Sequence, residues 1–266
     1  MKLSIVLSTQ PAAFSALAYK GQLAENVAKI AGLGYDGVEI AVRDPGLLNV
    51  PELVNIAGKN GLVIPAIGTG QAFGEEGISF IHPDPVVRRK AITRIKAQMD
   101  LAAELNALVI IGLIRGIRGR DISVKDAEAR CIEALRDCAD YKPDVQMVIE
   151  PINRYESDFL NTVDESLRFL DFVKRDSAGL LLDTFHMNIE EPSPLQSIHT
   201  AGERIFHFHI ADSNRWHPGA GHLDFSEIVT TLEGTGYNGF LSAEILPLPD
   251  SDTAAAKTIA YMRSFI

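Results

Sequence analysis

Cysteine is all but missing from this chain, and its two copies, Cys131 and Cys138, are poorly placed for covalent or metal chemistry. They lie seven residues apart in what reads as one helix. A rise of about 1.5 Å per residue sets their Cα atoms roughly 10 Å apart, too far for a disulfide. Neither belongs to a CxxC pair, which argues against thiolate ligation of zinc and against redox work. Basic residues are scarce as well: 25 Lys and Arg against 35 Asp and Glu leave a formal net charge of −10. Nucleic acids and anionic membrane surfaces both attract clustered Lys and Arg, so neither partner is expected. Long apolar runs are lacking too. No stretch approaches membrane-spanning length, and the apolar part of MKLSIVLSTQ is too short for a signal peptide, so a cytoplasmic protein is expected. No Pro/Ser-rich linker, charge block or low-complexity tract divides the chain, and residues 1–266 are expected to form a single domain.

What the chain does have is a repeated alternation. Short apolar runs suited to strands buried on both faces occur at 3–8, 36–42, 62–68, 108–114, 145–151, 179–183, 205–211 and 239–245. Segments of helical period lie between them, for example 23–34, 85–106 and 163–175. Asp84-Pro85 supplies a cap and a first-turn proline, and Thr162 with Glu165 fits a capping box. Glycine recurs where helices turn into strands, in GLGYDG, KNGL and GTGYNG. Eight strands alternating with helices, in a chain close to the roughly 250 residues typical of the fold, predict a (β/α)8 TIM barrel. The longest irregular stretches, 69–84, 187–197 and 212–224, all follow strands and so fall on the face that carries catalysis in this fold. An open doubly wound sheet predicts a Gly-rich first turn, but STQPAAF follows the first strand. GTGQAFG (68–74) is similar to a dinucleotide fingerprint only superficially. Its spacing is wrong, and it is expected to open no helix.

Four of the apolar runs end in metal-ligand residue types: Glu150, Asp183, His209 and Glu244. A carboxylate at the end of a buried strand is costly unless paired or bound to a cation. Successive strand ends of a barrel converge on one axis, so these four groups are expected to meet at its mouth. Three carboxylates there repel one another unless a cation neutralises them. A mostly oxygen site with one imidazole suits Mn²⁺, Mg²⁺ or Co²⁺, with Mn²⁺ preferred. Alternation puts His207 on the same face as His209.

Around these positions stand IEPINRYESDFLNT (149–162), LLDTFHMNIEE (181–191), HFHIADSNRWHPGAGHLDF (207–225) and SAEILP (242–247). The chain resembles the xylose-isomerase-like TIM barrels, and among them the ketose 3-epimerases of the D-tagatose/D-psicose type. Its N-terminal segments LSTQPAAFSALAYKG, VEIAVRDP and AIGTGQAF are similar to the 5-keto-L-gluconate epimerase branch. The resemblance implies one divalent metal held by Glu150, Asp183, His209 and Glu244, with Glu150 and Glu244 also serving as the acid/base pair. It further implies that Glu156, His186 and Arg215 hold substrate, and that the enzyme is a homodimer or homotetramer. The implied reaction is inversion of C3 in a keto sugar or keto-uronate. Inverting a carbon beside a ketone needs one carboxylate to remove its proton and another to return one from the opposite face. The resulting enediolate needs a metal and hydrogen-bond donors aimed at its oxygens.

The remaining candidates have plainer alternatives. Arg215 is expected to touch substrate or else to pair with Asp212, and Glu156 to touch substrate or to pair with Arg154. Trp216 either walls the pocket or packs its loop, while His217 and His222 are expected to be loop residues. No glycine-rich phosphate loop follows the last strand, so a free sugar or a keto-uronate of about six carbons is favoured. Arg115, closing the fourth strand, is the candidate for a substrate carboxylate, with an ion pair to a loop acid as its alternative. The rival functions on the same scaffold are a hydroxypyruvate-type aldose–ketose isomerase and an inosose-dehydratase-like lyase. An endonuclease IV-like hydrolase would need more histidines and a basic face.

Overall fold

Parallel strands buried on both faces need a helical cover on the outside and a filled interior, and a closed barrel supplies both. The computed structural model describes residues 1–120 and 122–266. Its strands are β1 (Lys2–Ser8), β2 (Tyr19–Lys20), β3 (Gly37–Ala41), β4 (Ala66–Gly68), β5 (Leu108–Ile111), β6 (Met147–Ile149), β7 (Ala178–Asp183), β8 (Ile205–Ile210) and β9 (Phe240–Ala243). All pairings are parallel, in the order β1-β3-β4-β5-β6-β7-β8-β9, and β9 pairs back onto β1 to close the ring. The expected eight-stranded barrel is therefore present.

One strand escaped the sequence reading. The two-residue β2 is too short to leave a periodic signal. It pairs with Leu7 and Ser8 of β1 just beyond the stretch, Lys2 to Ile5, that pairs with β9. Several ladders are also shorter than the apolar runs that mark them. In the run 62–68, Pro65 offers no N–H, and only an isolated bridge from Val63 to Gly37 precedes β4.

Helices cover the outside of the ring. Those over Pro85–Leu105 and Val163–Val173 start at the expected signals: Asp84 accepts from the Val86 N–H, and Thr162 and Glu165 form a reciprocal capping box. Gly61 and Gly236 leave their helices at φ +68° and +82°, a region that L side chains rarely adopt. Cys131 and Cys138 are buried in the helix Val124–Tyr141, and burial pushes both thiols up to about 12, so neither is a nucleophile at neutral pH. No helix among the described residues is long and apolar enough to cross a membrane.

Two of the three long loops are more regular than expected. GTGQAFG does open a helix, Gly70–Glu76, contrary to the sequence expectation, and 187–197 is largely spanned by Thr184–Glu190 and Pro194–Ala201. Short helices held mainly by tertiary contacts leave little periodicity to detect. The segment 212–224 carries no helix or strand.

The barrel interior is divided in character. Ala66, Leu108, Ile110, Val148 and Leu181 form an apolar cluster contributed by β4 to β7. On the side of β1, β3, β8 and β9 the buried residues include Ser4, Glu39, His207, His209 and Ser242. Such a polar sector costs free energy unless it supports something.

Candidate active site

The ladders of β6 and β9 stop one residue short of Glu150 and Glu244, while Asp183 is the last residue of β7 and lies in register with His209 of β8. The four side chains converge. Each offers a ligand atom that lies within 4.8 Å of the other three. Local sequence makes room for them: a Cβ on Gly112 would stand 2.7 Å from Glu150 Oε2, so only glycine leaves that carboxylate its place. Asp183 doubles as a helix cap, its Oδ1 accepting from the Phe185 N–H.

Two buried atoms of this group, Asp183 Oδ2 and His209 Nδ1, have no hydrogen-bond partner among the described residues. They are 3.8 Å apart, and His209 Nδ1 is 4.0 Å from Glu150 Oε1, too far for hydrogen bonds. Buried polar atoms are rarely left unpartnered, and a lone pair facing three carboxylates at this spacing fits a cation. His209 also has the tautomer a ligand needs. Its Nε2 faces Glu39, 3.1 Å from each carboxylate oxygen, so the proton belongs there and Nδ1 is free to ligate. The donor set therefore fits a divalent ion.

The electrostatics are those of crowded, buried acids. Burial, then the proximity of Glu244, pushes the Glu150 carboxyl up to about 8. Burial likewise carries Glu244 up to about 7, although His209 and Arg215 pull the other way. Burial disfavours the charged form of His209, but Glu39 and the strand-end glutamates outweigh it and push the imidazole up to about 10, so a cation would take the place of the Nδ1 proton while Nε2 keeps its own.

The three expected substrate residues meet at the same place. Arg215 Nη1 donates to Glu156 Oε1 at 2.7 Å and its Nη2 to Glu244 Oε2 at 3.0 Å. The guanidinium lies between the rings of Phe14 and Phe185, 5.0 and 4.7 Å from their centroids. Its backbone sits at φ 62°, an uncommon conformation for a non-glycine residue. A turn imposes it: Arg215 N–H donates to the Asp212 carbonyl, while the Asp212 carboxylate collects the N–H groups of Ser213, Gly219 and Leu223. Asp212 thus shapes the loop and does not pair with Arg215. Glu156 is likewise free of Arg154, which pairs with Glu190.

His186 lies 3.7 Å from Glu150 Oε1 through Nε2. Its Nδ1 is met by the Asn153 amide at 2.7 Å, which leaves Nε2 as the N–H side. Burial pulls its imidazole down to about 4, so it is a neutral donor at ordinary pH.

Two residues of this site went unflagged in the sequence. Asn153 is buried and its single amide group bridges Glu156 Oε1 and His186 Nδ1. Only its place inside INRYE hinted at a role. Glu39 is a carboxylate in the middle of a strand buried on both faces, the same signal as the strand ends but not at an end. His207, placed beside His209 by alternation, is engaged with Glu39.

Arg115 is corrected. It is fully buried and does not line the cavity. Its guanidinium donates to the carbonyls of Gly112, Glu150, Phe159 and Leu160, so neither a substrate carboxylate nor a loop acid is its partner. Burial lowers it to about 10, still cationic at neutral pH. It staples the loop that carries Glu156 to the end of β5. Arg115→Ala is expected to cost about 3 kcal/mol or more of stability by removing these charge-assisted bonds and leaving a cavity where the buried guanidinium stood, and Arg115→Lys is expected to rescue little, since one ammonium cannot span four carbonyls. Denaturant unfolding of both variants checks this.

The cavity above these groups has a volume of about 270 Å³. Phe14, Leu17, Leu113 and Ile152 form its apolar wall, and Arg215 is the one Lys or Arg among its described lining residues. Trp216 is not part of that wall.

Residues 27–265 match the family model described as the xylose isomerase-like TIM barrel. The chain belongs to that family. It is 30% identical to an L-ribulose 3-epimerase of Methylomonas sp. over 90% of this chain and 83% of the relative. It is 32% identical to a D-psicose 3-epimerase of Agrobacterium fabrum over 82% and 77% of the two chains. A solved D-allulose 3-epimerase of Methylomonas sp., in complex with D-allulose, superimposes with a TM-score of 0.84 at 26% identity, covering 100% of this chain and 98% of that one. The protein is accordingly a sugar-converting enzyme of the epimerase and isomerase type.

Proposed function

We propose that this enzyme inverts C3 of a free keto sugar or keto-uronate, using Glu150 and Glu244 as the proton-transferring pair and one divalent ion, Mn²⁺ in preference to Mg²⁺ or Co²⁺. The observation that carries this is the placement of two glutamates, Glu150 buried and Glu244 half-buried, on one cavity from strands that are not neighbours. On the rim, β7 and β8 separate β6 from β9, so the two carboxylates approach a bound sugar from different directions. An epimerase needs that disposition, because the proton leaves one face of the carbon and returns to the other.

Glu150, Asp183, His209 and Glu244 would hold the ion, whose chemistry is that of a Lewis acid towards the carbonyl and adjacent hydroxyl oxygens. The protein's own groups do the rest. One glutamate, ionised, takes the C3 proton while the other, protonated, gives its own from the opposite side; the pair ends with its protonation exchanged, ready for the reverse direction. Arg215, fixed by Glu156, orients Glu244 and brings a positive charge to the edge of the developing enediolate. His186, neutral and fixed by Asn153, offers an N–H beside Glu150. The apolar wall excludes water from the reacting carbon. Free ketoses are supported by what the relatives are named for. A keto-uronate would have to do without Arg115.

The test is incubation of the Mn²⁺-loaded protein with ketohexoses and with 5-ketogluconates in D₂O, read by NMR and mass spectrometry. Deuterium at the carbinol carbon next to the ketone, C3 of a ketohexose and C4 of a 5-ketogluconate counted from its carboxylate, with mass otherwise conserved, is expected. Loss of one water would indicate a lyase, and label confined to C1 or C2 an aldose–ketose isomerase. Absence of exchange in every substrate would overturn the proposal.

A further inference from the structure

We propose that Glu39 is the positioning residue for the metal-ligating imidazole of His209, and that His207 is the strut holding Glu39 in place. The inference rests on the metal site just proposed and extends it to residues behind the ligands. Glu39 is fully buried and has no Lys or Arg partner among the described residues. Its oxygens instead serve two imidazoles: Oε2 is 2.7 Å from His207 Nε2, and both oxygens are 3.1 Å from His209 Nε2.

A carboxylate is kept this deep only where donors meet it, and here the donors within reach are the two imidazole nitrogens of His207 and His209.

Geometry says what the charge does. Glu39 starts from β3 and reaches His207 and His209 on β8, past the two intervening strands β1 and β9. Those strands present the small side chains Ser4 and Ser242, which are register partners, and Ser242 is itself level with His209. Across the gap, Glu39 accepts the hydrogen bond of the His209 Nε2–H and thereby turns its unpartnered Nδ1 towards Asp183 and Glu150. The His207 ring stands edge-on to that of His209, with centroids 5.4 Å apart, and limits its rotation.

A carboxylate behind a ligating histidine fixes both its tautomer and its ring plane, and strengthens the nitrogen that ligates. The cluster is not a second cation site. Its N–O separations of 2.7 and 3.1 Å are direct hydrogen bonds, and none of the atoms in those bonds is left without a partner.

Mn²⁺ titration by calorimetry, together with the visible spectrum of the Co²⁺-loaded protein, tests the assignment on wild type, Glu39→Gln and His207→Gln. Glu39→Gln keeps the shape and removes the charge, and its Kd for Mn²⁺ is expected to rise about 10–100-fold, with a shifted Co²⁺ spectrum. A Kd and spectrum indistinguishable from wild type would overturn the inference, whatever the stability. Should Glu39→Gln fail to fold, His207→Gln reads the same coupling with the carboxylate kept. A severalfold weaker Kd supports the strut, and an unchanged one overturns it. Wild type that takes up no Mn²⁺ at all would instead sink the metal site beneath the inference.

Discussion

Glu150→Gln and Glu244→Gln are each expected to lower the rate of epimerisation by about 10³–10⁴-fold, the upper range of what a positioned acid or base contributes. The amide neither accepts the C3 proton nor returns one. Asymmetry between the variants is the more telling result. If the glutamates serve opposite faces, each variant keeps one working base. Glu150→Gln should then still wash deuterium into C3 of one epimer without interconverting the pair, and Glu244→Gln should do so for the other. Saturating Mn²⁺ must be present in both assays, because both residues also belong to the proposed ligand set and weaker ion binding would lower the rate by itself. Epimerisation retained in both variants would remove the two-glutamate mechanism. Exchange of the same epimer by both would place the two groups on one face.

Removal of the divalent ion has the second large consequence. Chelation is expected to abolish turnover, and restoring Mn²⁺ to bring it back. An ion present at 100 times its Kd stabilises the folded chain by about 2.7 kcal/mol. For a protein of this size that corresponds to a rise of roughly 5–10 °C in Tm.

The stabilisation should depend on pH with a definite sign. Glu150 and Glu244 are pushed up to about 8 and 7, above the ordinary carboxylate range. Without the ion the folded state therefore binds more protons than the unfolded one between the ordinary value and these raised ones. The metal-free protein loses that contribution as pH rises through about 7 to 8. A bound cation favours the ionised form of the same groups and displaces the Nδ1 proton of His209, so uptake releases protons and strengthens over the same interval. The gap in Tm between loaded and chelated protein should accordingly widen from pH 6 to pH 8.5 in thermal scans. A gap that does not change with pH, or that narrows, would contradict the buried-carboxylate site.

Most of the architecture was written in the alternation of apolar runs and helical segments, because a parallel strand buried on both faces has a composition that little else produces. The four strand-end groups were legible for a related reason: an ionisable residue terminating an apolar run is costly wherever it stands, and a barrel brings such ends together. Arg115 shows the limit of the same logic. It too closes an apolar run, yet it turns inward to the carbonyls of Phe159 and Leu160, more than forty positions later in the chain. A guanidinium can be satisfied by backbone as fully as by an anion, and nothing local distinguishes the two.

Glu39 was invisible for a stronger reason, since its partners lie 168 and 170 residues away. Asn153 holds its place through contacts with two side chains, Glu156 and His186, that only the folded loops bring to it.

By itself, then, the sequence determined the barrel and the strand ends that face its mouth, since hydrophobic burial and the period of a strand act locally. Only the tertiary structure decided which of those ends reach the cavity. It also decided which nitrogen of His209 is free, and which buried carboxylate holds it so. Hydrogen bonds are directional and short-ranged, and the residues they join become neighbours only when the ring has closed.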